Sequence, residues 1–410
     1  MAFNKISVIG LGYIGLPTAA VLAQTGTHVV GVDIDKNAVD TINRGEIHIV
    51  EPKLKQLVLA TVKSGHLKAT TKPEASDAFL IAVPTPFEKN QGAIKNPDLE
   101  YIKAAAISLA SVLKKGDLII LESTSPVGTT EQLATWLAQQ RPDLKFPSQS
   151  KVCEPDINIA YCPERVLPGH IVRELVQNDR VIGGLTKNCS IRARELYNMF
   201  VKGECFVTNA RTAEMTKLTE NACRDVQIAF ANELSLICSN LDIDVWELIA
   251  LANRHPRIDI LQPGPGVGGH CIAVDPWFIA SSDQENSRLI QTARHINDSK
   301  PLWVIEKVKH LADQHPRRRI ICLGLAFKPN IDDLRESPSL HICEELYKIY
   351  NERVCAVEPN TVQSFPFRTI PQNTIDYDQD IVVCLVSHNE FQRIKKPKLY
   401  VDCIGLFKDQ

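Results

Sequence analysis

Methionine and tryptophan are scarce in this chain, 3 and 4 residues out of 410. That leaves no material for an aromatic belt or a methionine-lined groove. No apolar stretch reaches the roughly 20 residues that span a bilayer. Signal-peptide architecture is missing as well, since a strand-like run starts within five residues of the first methionine. Neither sign of charge dominates: 46 lysines and arginines face 48 aspartates and glutamates, a net charge of −2. Nothing electrostatic therefore points to nucleic acid or an anionic membrane as a partner. The twelve cysteines include no C-x-x-C pair and no zinc-finger spacing to histidine, so no metal is expected. Several lie inside apolar runs, Cys322 after Ile320-Ile321 and Cys384 after Ile381-Val382-Val383, and read as small buried hydrophobes. A reducing, cytoplasmic setting is the expectation.

The rest of the composition is that of a globular protein, with 44% hydrophobic and 23% charged residues. At roughly 150 residues per domain the length allows two to three domains. Apolar runs over Lys5–Ile9, His28–Asp33, Ala78–Val83 and Leu118–Leu121 alternate with helix-length segments, the mark of βαβ units and a parallel sheet. An irregular connection over 141–157 leads into another strand, Ile157–Tyr161. From Thr212 to about Asn240 neither glycine nor proline occurs. Met215, Leu218, Ala222, Val226, Ala229, Leu234 and Ile237 recur at helical spacing there, predicting one long helix. A second helix is expected over Asp244–Ala252, then a Gly/Pro-rich loop over 262–271, then helix from Ser287 to His310. Strands resume at Ile320–Leu323, Val354–Val357, Ile381–Val386 and Leu399–Val401. Two α/β domains flank a helical centre.

Gly10-x-Gly12-x-x-Gly15 follows the first strand and opens a helix, and the next strand ends in Asp33, 18 residues beyond Gly15. Glycines there allow a tight turn and a close backbone approach to a pyrophosphate at the helix N-terminus. The acid reaches the ribose hydroxyls and repels the phosphate of NADP, so NAD is the expected cofactor. Cys271 differs from the other cysteines in being presented by a Gly-rich loop. It is either a nucleophile or a space-filler. Lys217 and Asn221, four apart on the long helix, share a face and can hold a developing alkoxide, or merely meet solvent. Glu164 and Asp275 can position a water or act as caps. Arg335 and Lys328 can meet phosphates or pair with neighbouring acids. NAD beside a thiol suggests aldehyde oxidation through a thioester, without naming a substrate.

Eight segments carry a resemblance that spans the chain. They are G-L-G-Y-I-G-L-P-T-A from 10, N-R-G-E-I-H-I-V-E-P at 43–52, E-S-T-S-P-V-G-T-T at 122–130 and Y-C-P-E-R-V-L-P-G at 161–169. The others are K-L-T-E-N at 217–221, N-R-H-P-R at 253–257, G-P-G-V-G-G-H-C-I-A-V-D-P-W-F at 264–278 and G-L-A-F-K-P-N-I-D-D-L-R-E-S-P at 324–338. In these the chain resembles the UDP-sugar 6-dehydrogenases, the family of UDP-glucose and GDP-mannose dehydrogenases.

The resemblance implies two Rossmann-like parallel-sheet α/β domains joined by a central helical region with one long helix. The NAD-binding part would be residues 1–209. The central part, with the dimer contact, the catalytic lysine and the cysteine loop, would be 210–302, and the UDP-sugar-binding part 303–410. It further implies that Cys271 is the thiohemiacetal and thioester nucleophile and Lys217 the proton donor and acceptor at the C6 oxygen, held with Asn221. Asp275, Thr124 and Glu164 would order the hydrolytic water. Arg165, Val166, Lys217, Asn221, Arg224, His255, Arg257, Gly268, Phe327 and Lys328 would meet the nucleotide sugar. Gly10, Gly12, Tyr13, Ile14, Gly15, Asp33, Thr85, Thr130 and Arg335 would meet NAD. His270 resembles the branch acting on N-acetylhexosamines, where enzymes for UDP-glucose usually carry serine, and Ala273 and Trp277 suit its N-acetylmannosamine group. The implied reaction is four-electron oxidation of the C6 alcohol by a homodimer, with UDP-N-acetylglucosamine or UDP-glucose as alternative substrates. Two other classes stay open: a 6-phosphogluconate-type dehydrogenase that makes one NADH and needs no thiol, and an idle nucleotide-sugar sensor.

Overall fold

The apolar runs become strands because β-branched and aliphatic side chains fill both faces of a covered sheet. The structure, a computed structural model, describes all residues except 1–2, 90–91, 93, 149–153, 168, 362 and 409–410. Cys153, counted among the cysteines above, and Pro168, in the segment 161–169, lie outside the described residues. The chain divides into two compact units, Met1–Thr219 and Glu220–Gln410.

Among the described residues of the first unit eight strands form one sheet. They are β1 (Lys5–Ile9), β2 (His28–Val32), β3 (Leu67–Thr70), β4 (Ala78–Ile81), β5 (Leu118–Leu121), β6 (Asn158–Tyr161), β7 (Arg180–Gly184) and β8 (Cys205–Asn209), in the order β3-β2-β1-β4-β5-β6-β7-β8. The first six are mutually parallel, a doubly wound nucleotide-binding order. β7 pairs antiparallel with β6, and β8 runs parallel to β7. Alternation along each strand sorts side chains between two cores. Ile6, Val8, Leu80 and Ile120 pack with the helix Gly15–Gln24 on one face, and Ile9, Phe79, Ile81 and Leu121 on the other. The strand order reverses between β1 and β4, which opens the crevice used by ligands of this architecture.

The second unit holds a parallel sheet of β9 (Ile320–Leu323), β10 (Val354–Val357), β11 (Arg368–Thr369), β12 (Ile381–Cys384) and β13 (Leu399–Asp402), in the order β11-β10-β9-β12-β13. Two α/β folds and a long helical element are therefore present, as expected. The long helix spans Ala210–Leu241, and the division between the units falls inside it. Its apolar period marks the buried side only in part. Leu218, Ala222 and Ala229 are buried, whereas Met215 and Ile237 are exposed.

Asp244 caps the helix Val245–Ala252 by accepting from the N–H groups of Trp246 and Glu247. The stretch expected from Ser287 to His310 is a single helix, Arg288–Gln314, with Pro301 inside it. A further helix, Asp275–Ser282, follows the Gly/Pro loop. Cys322 and Cys384 are fully buried, as their apolar surroundings suggested. Among the described residues no helix is long and apolar enough to cross a membrane.

Candidate active site

In the first unit the glycine loop is built by steric necessity. Gly10 has φ +88°, and a Cβ there would sit 2.6 Å from the Ala82 carbonyl oxygen; one on Gly15 would lie 1.8 Å from that of Gly10. Gly12 differs, because a Cβ on it meets nothing within 4 Å. Its backbone faces open space, flanked by exposed Tyr13 and half-buried Ile14. The helix that begins at Gly15 has no side-chain cap at Ile14; the Leu16 N–H donates to the Gly12 carbonyl (3.2 Å) and Pro17 has none, so backbone and proline close most of this start. Asp33 accepts from the N–H groups of Leu11 (2.8 Å) and Asp35 (2.9 Å), so its half-buried carboxylate is fixed beside that loop.

The turns after β4 and β5 are tied together. The Thr85 hydroxyl donates to the Thr124 carbonyl (2.8 Å), and that of Ser123 to the Val83 carbonyl (2.7 Å). Thr130, expected at the cofactor, makes its contacts within the protein. It is fully buried, and its N–H and hydroxyl both donate to Glu214 (2.8 and 2.6 Å), which also accepts from Gly128. A buried carboxylate on the long helix thus closes the start of the helix Thr129–Gln140, and Thr130 offers no exposed atom to a cofactor. Lys217, one turn further along, is also buried.

Glu164 is buried in an ionic cluster that the sequence does not announce. It takes the Arg180 guanidinium at 2.5 Å and the N–H of Arg165 at 2.8 Å. Glu122 lies in the same interior and accepts from the Tyr197 hydroxyl (2.6 Å), while its other oxygen has no partner among the described residues. Burial, and then the neighbouring Glu164 carboxylate, push Glu122 up to about 7. Burial likewise pushes the Cys162 thiol up to about 12. The Arg165 side chain donates to the Asp179 carbonyl, and half-buried Val166 packs on the core. Glu51, from the segment 43–52, accepts from Gly169 and Ile171 (2.9 Å each), which fixes the segment 161–169 from its far end.

In the second unit Cys271 is half-buried, just before the helix Asp275–Ser282. Its carbonyl accepts from Val274 (3.0 Å) and Asp275 (2.9 Å). Asp275 is buried and accepts from the Asn221 amide at 2.5 Å. The cysteine turn and the face of the long helix bearing Asn221 are thereby joined. The loop has further anchors. Gly264 donates to Asn232, whose amide donates to Asn297, and Asn297 donates to Asp225. Arg294 pairs with Asp225 at 2.5 Å, and both are buried. Burial lowers Lys300, which donates to Ser235, to about 8.

Glycine is required where the loop passes Phe327 and the 335–338 turn. A Cβ on Gly268 would be 2.5 Å from the Glu336 carbonyl oxygen, and Gly269, at φ +81°, lies against the Phe327 ring. Gly269 also donates to the Arg335 carbonyl (3.1 Å). The Arg335 side chain pairs with Asp333 at 2.6 Å. Arg224, His255, Arg257, His270 and Lys328 are exposed, whereas Ala273 and Trp277 are buried in the support of the loop.

Sequence reasoning missed Glu214, Arg180, Glu122, Asp225, Asn232, Arg294 and Asn297. Their partners named above lie 16 to 86 residues away, and apart from Glu122, which opens the segment 122–130, none falls in a quoted motif.

Family models cover most of the chain: the UDP-glucose/GDP-mannose dehydrogenase family NAD binding domain over residues 4–201, its central domain over 211–299 and its UDP binding domain over 321–409. The chain belongs to the UDP-glucose/GDP-mannose dehydrogenase family. It is similar to a UDP-N-acetyl-D-mannosamine dehydrogenase of Yersinia pestis, at 57% identity over 100% of both chains. It is also similar to an NDP-N-acetyl-D-galactosaminuronic acid dehydrogenase of Ralstonia nicotianae, at 58% identity over 97% of this chain and 94% of that one. Among solved structures, the UDP-N-acetyl-mannosamine dehydrogenase of Staphylococcus aureus is 41% identical, with a TM-score of 0.85 over 99% of this chain and 96% of that one.

As a member of this family the chain is an NAD-dependent dehydrogenase with a UDP-binding domain. Its first unit fits NAD: the open face of Gly12 at the strand-to-helix turn and the fixed Asp33 carboxylate form the cradle a dinucleotide needs.

Proposed function

We propose that this chain oxidises the C6 alcohol of UDP-N-acetyl-D-mannosamine to the carboxylate, as a cytoplasmic homodimer that supplies an activated uronate for cell-surface polysaccharide. The observation that carries the catalytic reading is the 2.5 Å bond from Asn221 to Asp275, the residue whose N–H donates to the Cys271 carbonyl. It puts an amide, a carboxylate and a thiol-bearing turn in one place. Residues 1–209 hold the cofactor, 210–302 carry the lysine and cysteine, and 303–410 hold the nucleotide sugar.

NAD, held by Gly10, Gly12, Tyr13, Ile14, Gly15, Asp33, Thr85 and Arg335, supplies the hydride acceptor for both oxidations. The protein supplies the rest. Lys217 takes the C6 hydroxyl proton, and its ammonium with the Asn221 amide offsets the charge on oxygen. The Cys271 thiolate adds to the aldehyde carbon, because an aldehyde by itself is a poor hydride donor and its thiohemiacetal a good one. Loss of the second hydride leaves a thioester. Asp275, with Thr124 and Glu164, orders the water that cleaves it and regenerates the thiol. Arg165, Val166, Arg224, His255, Arg257, Gly268, Phe327 and Lys328 hold the nucleotide sugar.

The 58%-identical Ralstonia nicotianae relative favours one second reading, a UDP-N-acetylgalactosamine substrate. Counting NADH per UDP-sugar consumed tests both. Two NADH per UDP-N-acetylmannosamine, with kcat/KM at least tenfold above that for UDP-N-acetylgalactosamine, UDP-N-acetylglucosamine and UDP-glucose, is expected. A reversed order would move the substrate assignment, and one NADH per sugar would remove the thioester.

A further inference from the structure

The second sheet repeats the first in detail. β9 followed by Gly324-Leu325 matches β1 followed by Gly10-Leu11, with φ +84° at Gly324 and +88° at Gly10. Gly324 donates to the Val357 carbonyl as Gly10 does to that of Val32. Glu358, just after β10, accepts from Leu325 (2.7 Å) and Asn360 (2.9 Å), as Asp33 accepts from Leu11 and Asp35. From there the copies part. Ala326 and Pro329 stand where the first loop has Gly12 and Gly15. Asp33 remains half-exposed, whereas the Glu358 side chain is 1% exposed and covered by His388, Nε2 to Oε2 3.2 Å. The first acid is open to a ligand and the second is sealed.

His388 does more than seal. Its other nitrogen, Nδ1, accepts from the Asn330 N–H (3.0 Å) and meets the Asn360 amide (2.9 Å). A backbone N–H only donates, so Nδ1 is the acceptor and Nε2 carries the proton toward Glu358. The imidazole is fully buried and edge-on to Phe391. Asn330 is a non-glycine residue at φ +61°, and its side-chain oxygen accepts from the Asn389 N–H (2.9 Å). The segment 388–389 therefore grips Asn330 by both backbone and side chain. It holds this residue in the left-handed region, which side chains seldom adopt. Glu358 grips Leu325 and Ala326. Between the two grips lie only Phe327, Lys328 and Pro329.

We propose that His388, with Glu358, is a positioning residue for the nucleotide sugar, setting the loop that presents Phe327 and Lys328. This rests on the reading above that Phe327 and Lys328 contact that substrate. The repeated acid has exchanged a ligand-binding role for a loop clamp, with His388 as its second jaw.

Steady-state kinetics on the full chain with UDP-N-acetylmannosamine and NAD test this. H388L removes the acceptor and the donor together and should raise KM for the UDP-sugar about tenfold, with KM for NAD and the unfolding temperature little changed. H388N restores an acceptor at the Nδ1 position and should recover most of that loss, which a general packing defect would not. An unchanged UDP-sugar KM in folded H388L, or a parallel rise in both KM values without rescue by H388N, overturns the proposal. Should H388L fail to fold, N330V at the exposed end of the loop, whose branched side chain disfavours the left-handed region and offers Asn389 no acceptor, should give the same UDP-sugar-specific rise, and its absence counts equally against the idea. F327A and K328A separate the two layers. If neither raises the UDP-sugar KM, the contact reading fails and His388 falls with it. If they do and H388L does not, only the positioning role fails.

Discussion

At the scale of the residue, position decides which thiol does chemistry. Cys271 lies on a glycine-bound turn, half-buried, whereas Cys162, Cys322 and Cys384 are sealed in sheet cores. Replacing it by serine costs little volume, so a packing role predicts near-normal turnover. A nucleophilic role predicts a fall of several orders of magnitude, because a hydroxyl ionises far less readily than a thiol. UDP-sugar and NAD should still bind C271S, as equilibrium titration would report. Glu122 gives a second prediction. Its ordinary value is 4.5 and its folded value about 7, so the folded state holds the proton more tightly. Stability from this group is complete below pH 4.5 and is lost as pH rises toward 7. The gap of roughly 2.5 pH units amounts to about 3 kcal/mol. E122Q, a neutral isostere, should therefore unfold at a higher temperature than the parent at pH 8, with the advantage vanishing near pH 4.5. Thermal unfolding at both pH values checks it, and a pH-independent difference would contradict it.

At the scale of the element, what the sequence made legible were the strands that bury both faces. The runs that became β4, β5, β9 and β12 are uninterrupted apolar residues, and their sheet position follows from that. β3, β7, β8 and β11 escaped reading. β3 carries Lys68, β7 has two glycines and an arginine, β8 is largely exposed, and β11 is two residues long. β3, β8 and β11 are edge strands, which need fewer apolar residues, so their pattern fades; β7 lies inside the sheet, and its glycines and arginine hide it. The site divides in the same way. The glycine loop, Asp33 and the cysteine loop are local in sequence and could be read. Glu122 with Tyr197 and Asp225 with Arg294 are 75 and 69 residues apart, and only the fold joins them. The glycine loop itself makes a paired prediction. G15A drives a methyl into the Gly10 carbonyl and should destabilise the whole first unit. G12A meets no protein atom, so it should fold normally and weaken NAD binding alone. Unfolding temperature beside an NAD titration separates the two, and equal effects of both would contradict the account.

At the scale of the whole molecule, the long helix leaves Phe230, Ile237 and Leu241 exposed at 51%, 47% and 63%. Their spacing of seven and four residues puts them on one face. An apolar stripe of this kind is what a two-fold partner would cover. F230D should convert the proposed dimer to a monomer in sedimentation at micromolar concentration. A parent protein that is already monomeric there would refute the assembly.

Among the described residues eight cysteines are buried, 162, 189, 238, 322, 343, 355, 384 and 403, spread through both units. Their burial amounts to an internal gauge of unfolding. A thiol-alkylating reagent at neutral pH meets Cys223 and Cys271 readily and Cys205 slowly, since burial raises the Cys205 thiol. Each buried sulfur reacts only when its own neighbourhood opens, so the order in which modified peptides appear ranks the local stabilities of the two sheets. We expect no more than four modified cysteines in the native protein and all twelve in denaturant. Mass spectrometry of timed samples would show whether Cys162 and Cys384 become reactive together or one sheet after the other.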